Sequence, residues 1–131
     1  MLIDSSVWIA FFNGQPSGQT EILETALQHH DYIATSGIIM MEILQGIRSS
    51  KDYKLTKSSL EAFDCLPTQY ETFMLSADIY RSLKQKGHTP RKSIDCLIAA
   101  TAIENKMPLL HQDKDFLPIV KHCGLAQINL N

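Results

Sequence analysis

Three carboxylic acids stand alone in long apolar runs. Asp4 is the only charged side chain in MLIDSSVWIAFF (1–12), Glu42 the only one in IIMMEIL (38–44), and Asp95 the only one in IDCLIAATAI (94–103). A carboxylate taken out of water must find a cation, find donors or take up a proton. Glu42 has no Lys or Arg one helical turn away, whereas Asp95 has Arg91 and Lys92 at i−4 and i−3. Asp4 precedes a helical stretch, where Asp is a common cap. A cap or a satisfied core acid explains any one of these residues. Three of them, each in a different apolar element, point to a shared task. A fourth acid, Asp113, follows the strand-like Pro108–His111 and enters the turn QDKDF. Carboxylates converging at one sheet edge repel strongly unless a divalent cation sits among them. An all-oxygen set of this kind suits Mg²⁺ or Mn²⁺. The five histidines show neither H-x3-H nor HExxH spacing, which argues against zinc. One or two hard cations suit hydrolysis at phosphate, a chemistry that needs no protein nucleophile. In keeping with this, the chain carries no GxSxG elbow and no P-loop.

The elements that must position these acids follow from apolar spacing and punctuation. Leu2-Ile3 reads as a strand, followed by a helix capped by Ser5 or Ser6 and ended at Asn13-Gly14. Gln19–His30 has helical spacing, with Ile22, Leu23, Ala26 and Leu27 on one face. Tyr32–Thr35 reads as a strand, and Ser36 caps a helix to about Arg48. Lys51–Phe63 is a further helix with Leu55, Leu60 and Phe63 inward. Cys65-Leu66 is a strand stopped by Pro67. Tyr70–Lys86 is a long helix with Phe73, Ala77, Tyr80 and Leu83 inward, ended by Gly87. Ser93 caps a helix to about Asn105 that is apolar nearly all round and therefore buried. Its Asp95 shares a face with Ile98, Ala99 and Ala102. Pro108–His111 and Ala126–Leu130 supply the last strands. Short strands alternating with helices define an α/β domain with a mostly parallel sheet, whose functional crevice lies beyond the C-terminal strand ends.

The bulk composition fits one domain. The chain has 131 residues, 44% of them apolar, with 12 Lys+Arg against 14 Asp+Glu and a formal charge of −2. That excludes disorder and gives no sign of a basic nucleic-acid binder. No apolar run reaches the ~20 residues of a membrane span, and the N-terminal segment lacks a secretory signal pattern. A cytoplasmic protein without membrane attachment is expected. Cys65, Cys96 and Cys123 form no CxxC pair and read as reduced thiols, Cys65 and Cys96 in the core.

The chain resembles the PIN-domain ribonucleases, in particular the VapC-type toxins of toxin–antitoxin pairs. The matching pieces are LIDSSVWIAFF at 2–12, SGIIMMEILQGIR at 36–48 and GHTPRKSIDCLIAATAIENKMPLLHQDKDF at 87–116. The resemblance implies a three-layer α/β/α PIN-like domain over 1–131 with a short-stranded, mostly parallel central sheet. It also implies that Asp4, Glu42 and Asp95 are the core metal-binding and catalytic acids. Asp113 takes the place of the fourth acid, with Asp115 competing or accessory. Ser6 matches a hydroxyl that supports the first Asp or a bound water. Ser5 stands where Thr is usual, and Pro90 where an aliphatic residue is more typical. The implied activity is Mg²⁺- or Mn²⁺-dependent endoribonuclease hydrolysis, leaving 5′-phosphate and 3′-hydroxyl ends. Such a protein inhibits translation as a toxin, forms a homodimer and binds a VapB-type antitoxin.

Basic residues are unevenly placed. Arg81, Lys84, Lys86, His88, Arg91 and Lys92 lead directly into Asp95. Arg91 is the best phosphate contact among them, lying one turn from Asp95 and able to fork onto phosphate. Arg48, Lys51, Lys54 and Lys57 read as a solvated helix face. Two other functions compete. A metal-dependent phosphatase of another α/β class would need a DxD nucleophile at the first strand, where this chain has Asp4-Ser5-Ser6. A non-catalytic PIN-like RNA- or protein-binding module would show a missing core acid, and none is missing.

Overall fold

Met1 is followed by the shortest usable strand, Leu2–Ile3 (β1), both residues fully buried. In the computed structural model, which describes residues 1–130, β1 forms the centre of a sheet ordered β3-β2-β1-β4. β2 is Ala34–Ser36, β3 is Asp64–Leu66 and β4 is Leu109–Leu110. All the pairings are parallel, with Leu2 opposite Ala34 on one side and Leu109 on the other. Two- and three-residue strands bury few backbone groups by themselves, so the helices must complete the shell. These are α1 (Ser5–Phe12), α2 (Gly18–Gln28), α3 (Gly37–Leu44), α4 (Ser50–Leu60), α5 (Tyr70–Gln85), α6 (Ser93–Glu104) and α7 (Leu117–Cys123). The β1→β2→β3 path and the β3→β4 return run in opposite directions across the sheet. Right-handed crossovers therefore place α1–α4 on one face and α5–α6 on the other, giving three α/β/α layers. Among the described residues, no helix is long and apolar enough to cross a membrane.

Helix α6 is the most deeply embedded element. Asp95 through Ala102 are all buried, with Cys96, Ala99, Ala100 and Ala102 at 0% exposure. Its small residues let α5 pack closely along it, as the all-round apolar pattern requires. The first helix behaves differently. Val7 and Trp8 are buried, but Ile9 and Phe12 remain partly exposed.

Several expectations are corrected. The inward face of α5 is Thr72, Ile79 and Leu83, while Phe73 is 51% exposed and Ala77 is also exposed. Leu83 is buried and Tyr80 half-buried, as expected; packing on α6 and α7 adds Thr72 and Ile79 and leaves Phe73 and Ala77 outward. Leu55 is exposed because α4 buries only its C-terminal Leu60. Cys65 is exposed as well, since β3 is an edge strand. Helix α3 stops at Leu44, before Gly46, rather than near Arg48. The N-cap of α1 is Asp4, and that of α6 is Lys92 without a side-chain cap bond, so Ser5, Ser6 and Ser93 lie inside their helices. The expected fifth strand shrinks to a single parallel bridge between Leu109 and Gln127. Leu117–Cys123, unassigned from the sequence, is helical because Pro118 falls in its first turn, where its missing N–H is no loss. A left-handed Gly124 (φ 77°) closes it.

Replacing Ala99 by Leu inserts three heavy atoms where no space exists. Overpacking of this kind costs about 1–3 kcal/mol. The urea midpoint should fall with the slope unchanged; an unaltered midpoint would contradict the close packing of α6.

Candidate metal centre and active site

The strand order reverses between β1 and β4, which makes their C-terminal ends the crevice of the sheet. Asp4 and the turn after β4 meet there, joined by the Asp4 N–H donating to the Leu110 carbonyl at 2.9 Å. As N-cap of α1, Asp4 accepts at Oδ2 from the Ser6 N–H at 3.0 Å and from the Ser6 hydroxyl. The Ser6 oxygen in turn accepts the Gln112 N–H at 3.3 Å. Ser6 thus links the end of β1 to the segment carrying Asp113. Burial pushes the Asp4 carboxyl above its ordinary range, against the pull of both Ser6 hydrogen bonds.

Glu42 reaches the same region from α3. The Ser5 hydroxyl donates to its Oε1 at 3.0 Å. Burial raises its pKa, Asp4 and Asp113 add repulsion, and Ser5 and Lys92 oppose them. Asp95, on the first turn of α6, has a side chain only 6% exposed. Burial, opposed by Lys92 and reinforced by Asp113, Asp4 and Asp115, pushes its carboxyl up to about 7. Asp113 behaves oppositely. Burial drives it upward, but the Asp115 N–H at 2.9 Å and Lys92 outweigh burial and hold it below the usual value.

Asp95, Asp113 and Asp115 each offer one carboxylate oxygen within 4.8 Å of the others. The sequence leaves Asp113 and Asp115 as alternatives, yet the turn places both beside Asp95. Asp4 and Glu42 lie outside this trio but feel its charge. Two cations from one loop answer the five acids. The Lys92 Nζ lies 3.3 Å from Asp113 and 3.7 Å from Asp95. Arg91 places Nε at 3.0 Å and Nη2 at 2.9 Å from the same oxygen of Asp115. Arg91 therefore pairs with Asp115 rather than with Asp95. Lys92 was visible in the sequence as a local partner of Asp95, but its reach to Asp113 depends on the fold. Ser5 and His111 are the other additions. The His111 Nδ1 accepts the Asp113 N–H at 3.3 Å, so its Nε2 is the donor to Gln127 Oε1 at 2.8 Å. Nothing in the local sequence marks that link.

A site with more carboxylates than cations, several of them raised in pKa, is under electrostatic load. Its donors are all oxygen, and no thiol or imidazole joins the cluster among the described residues. This fits a hard divalent cation. Asp95, Asp113 and Asp115 are the residues that would hold it, with Asp4 and Glu42 alongside.

The fold and this acidic crevice define a three-layer α/β/α domain with a cluster of acids at the ends of β1 and β4. The chain matches the PIN domain family over residues 1–121 and belongs to it. It is 31% identical over 127 residues to Ribonuclease VapC11 of Mycobacterium tuberculosis, covering 95% of each chain. The identity to VapC ribonuclease Mb1587 of Mycobacterium bovis is also 31%, again over 95% of each. In three dimensions it resembles VapBC2 from Rickettsia felis, solved bound to a promoter DNA fragment, with a TM-score of 0.76 and 19% identity over 99% of this chain and 98% of that one. FitAcB from Neisseria gonorrhoeae gives 0.75 and 22% identity over 98% and 96%.

The raised Asp95 has a consequence for metal-free stability. With a folded value of about 7 against 3.8 unfolded, the folded state holds the extra proton between those limits. That stabilisation is present below the unfolded value and lost as pH rises through the folded one. The urea midpoint of metal-free protein should therefore fall between about pH 4 and about pH 7 and level off above, and Asp95→Asn should flatten the fall. An equally steep fall in the variant would remove Asp95 as its source.

Proposed function

We propose that the protein is a single-domain, metal-dependent endoribonuclease, the toxin of a VapBC-type toxin–antitoxin pair, which stops translation by cutting RNA. What supports this reading most is the meeting of Asp95, Asp113 and Asp115 within 4.8 Å, with Asp4 and Glu42 near enough to feel Asp113, in a chain whose relatives at 31% identity are named ribonucleases. Mg²⁺ or Mn²⁺, when bound, neutralises charge developing on the phosphodiester and lowers the pKa of water enough for attack at neutral pH.

The chain's own residues prepare the site. Asp4, Asp95 and Asp113 supply the anionic wall, with Asp115 beside Asp113. Ser6 fixes the Asp4 carboxylate in one orientation through two donors to Oδ2. Ser5 fixes Glu42 through Oε1. Glu42 is raised in pKa and only partly buried, which suits a carboxylate that accepts a proton during hydrolysis. Arg91 is 72% exposed and supplies cationic donors at the rim for phosphate. Burial of Asp95 among Ile98, Ala99 and Ala102 keeps its carboxylate from being solvated, so a cation replaces water as its partner. The solved neighbours include a toxin–antitoxin complex from Klebsiella pneumoniae, and a VapB-type antitoxin with a homodimeric toxin is the assembly proposed here.

Incubation with structured RNA should give discrete cuts in Mn²⁺ and none in EDTA. Asp95→Asn should lower the rate by at least about a hundredfold, equivalent to roughly 3 kcal/mol of transition-state stabilisation, with an unchanged circular dichroism spectrum. Wild-type cutting rates from a folded variant would overturn the assignment. Release of phosphate from a phosphomonoester without RNA cuts would favour a phosphatase instead. Mn²⁺ should also raise the melting temperature of the wild type and not of Asp95→Asn. Ser5→Ala should lower kcat on RNA by about tenfold, because Glu42 loses the donor that orients it for proton transfer; calorimetry should show Mn²⁺ affinity nearly unchanged.

A further inference from the structure

Across the Arg91–Asp115 pair from the acids lies a second concavity. It has a volume of about 530 Å³ and sits between the end of α5, the loop 87–91 and the start of α7. Ligand sites generally occupy about 300–1,000 Å³. Asp115 belongs to both places, so the two are contiguous. The lining is amphipathic. Leu117 and Pro118 present apolar surface, Leu117 half exposed, while His88, Arg91 and Lys114 supply positive or donor groups. Arg91 commits Nε and Nη2 to Asp115, which leaves its remaining N–H donors free to serve another anion. The one acid of the lining, Asp115, is already matched by Arg91. Behind His88, the His122 ring stands 5.3 Å away, centroid to centroid. Burial first, and then Lys86, His88 and Lys121, hold His122 below its ordinary pKa.

The walls are fixed by local structure. Helix α5 ends where Gly87 takes φ 84°, and the His88 N–H returns to the Leu83 carbonyl at 2.8 Å. The opposite wall is the proline-initiated first turn of α7.

We infer that this basin seats the nucleotide next to the cut phosphodiester, taking single-stranded RNA with its phosphate toward Arg91 and Lys114 and its base against His88, Leu117 and Pro118. This rests on the nuclease reading above. Any phosphate held at the acids belongs to a polymer whose neighbouring unit must occupy adjoining surface. A nucleotide combines an anion and a flat, partly apolar base, the two chemistries that this lining offers. Bases in single strands are commonly read by stacking and by positive grooves that track the backbone. An acidic peptide would use the cations but not the apolar floor. Substrate preference then resides partly in the loop 87–91 and in Leu117.

The test uses the full chain with His88→Ala/Lys114→Ala and, separately, Leu117→Ser, each checked for an unchanged melting temperature. Three measurements are made: cleavage of an RNA oligonucleotide, Mn²⁺-dependent hydrolysis of bis(p-nitrophenyl) phosphate, and RNA binding by fluorescence anisotropy over a range of salt. The expected result is a rise in KM for RNA, so that the loss of kcat/KM on RNA exceeds that on the small diester by about tenfold, together with a binding salt slope reduced by about 0.7 in the double variant, one phosphate contact on a single strand. Equal losses on both substrates, or unchanged RNA binding, would overturn the basin. Weaker binding of a poly-glutamate peptide with RNA binding unchanged would overturn it in favour of an acidic protein segment. If wild-type protein cleaves neither substrate, the nuclease reading fails by itself. RNA affinity then decides the basin: weaker binding by the variants supports it, and equal binding overturns it.

Discussion

Mutual repulsion among carboxylates held in a poorly solvated crevice is the constraint on which the rest of the structure depends. Five acids gather near the C-terminal ends of β1 and β4 or the turn beyond, and among the described residues only Lys92 and Arg91 pair with them directly. The load is unevenly shared. Asp95, buried in α6, is pushed up to about 7, while Asp113, supplied with a backbone donor and a lysine, is held low. Two acids a few ångströms apart are thus displaced in opposite directions by their surroundings.

The fold meets this load by distributing the acids over elements that are rigid for other reasons. Asp4 doubles as the cap of α1, so the hydrogen bonds that start the helix also orient the carboxylate. Asp113 starts the short 3₁₀ turn Lys114–Phe116 in the same way. Phe116 is fully buried and anchors that turn, with the His111 ring 4.9 Å from its own, centroid to centroid. Asp95 is carried by the most buried helix in the domain. The cost of gathering charge is thus offset by apolar burial nearby, and very short strands suffice because α6 and its neighbours cover them.

Much of this was legible in the residues. A lone acid in an apolar run is a strong signal because desolvating it has a definite cost, and Asp4, Glu42 and Asp95 all stood out on that ground. The alternation of strands and helices was equally readable. Helix faces were less so. In α5 the stripes through Phe73 and through Ile79 have similar apolar content, and spacing within one helix cannot say which meets α6. Leu55 is exposed for a related reason: Leu55 and Leu60 lie five positions apart, on different faces of a mostly polar helix, and Leu60 is the one that meets the core. The cation pairing was readable only in part. Lys92 could be matched to Asp95 by helical spacing, whereas Arg91 turns to Asp115, 24 positions away.

By itself the sequence determined the family of the fold, most of the alternation of strands and helices, and which acids burial would load. These follow from local quantities: side-chain chemistry, desolvation and the period of apolar residues. Only the tertiary structure decided that Asp113 and Asp115 both stand beside Asp95, that Ser5 holds Glu42, and that a positive, half-apolar basin adjoins the acids. Those facts depend on the register of β1 against β4 and on how α5 and α7 meet. Such long-range geometry is set by the packing of the whole core, which no short stretch of residues encodes.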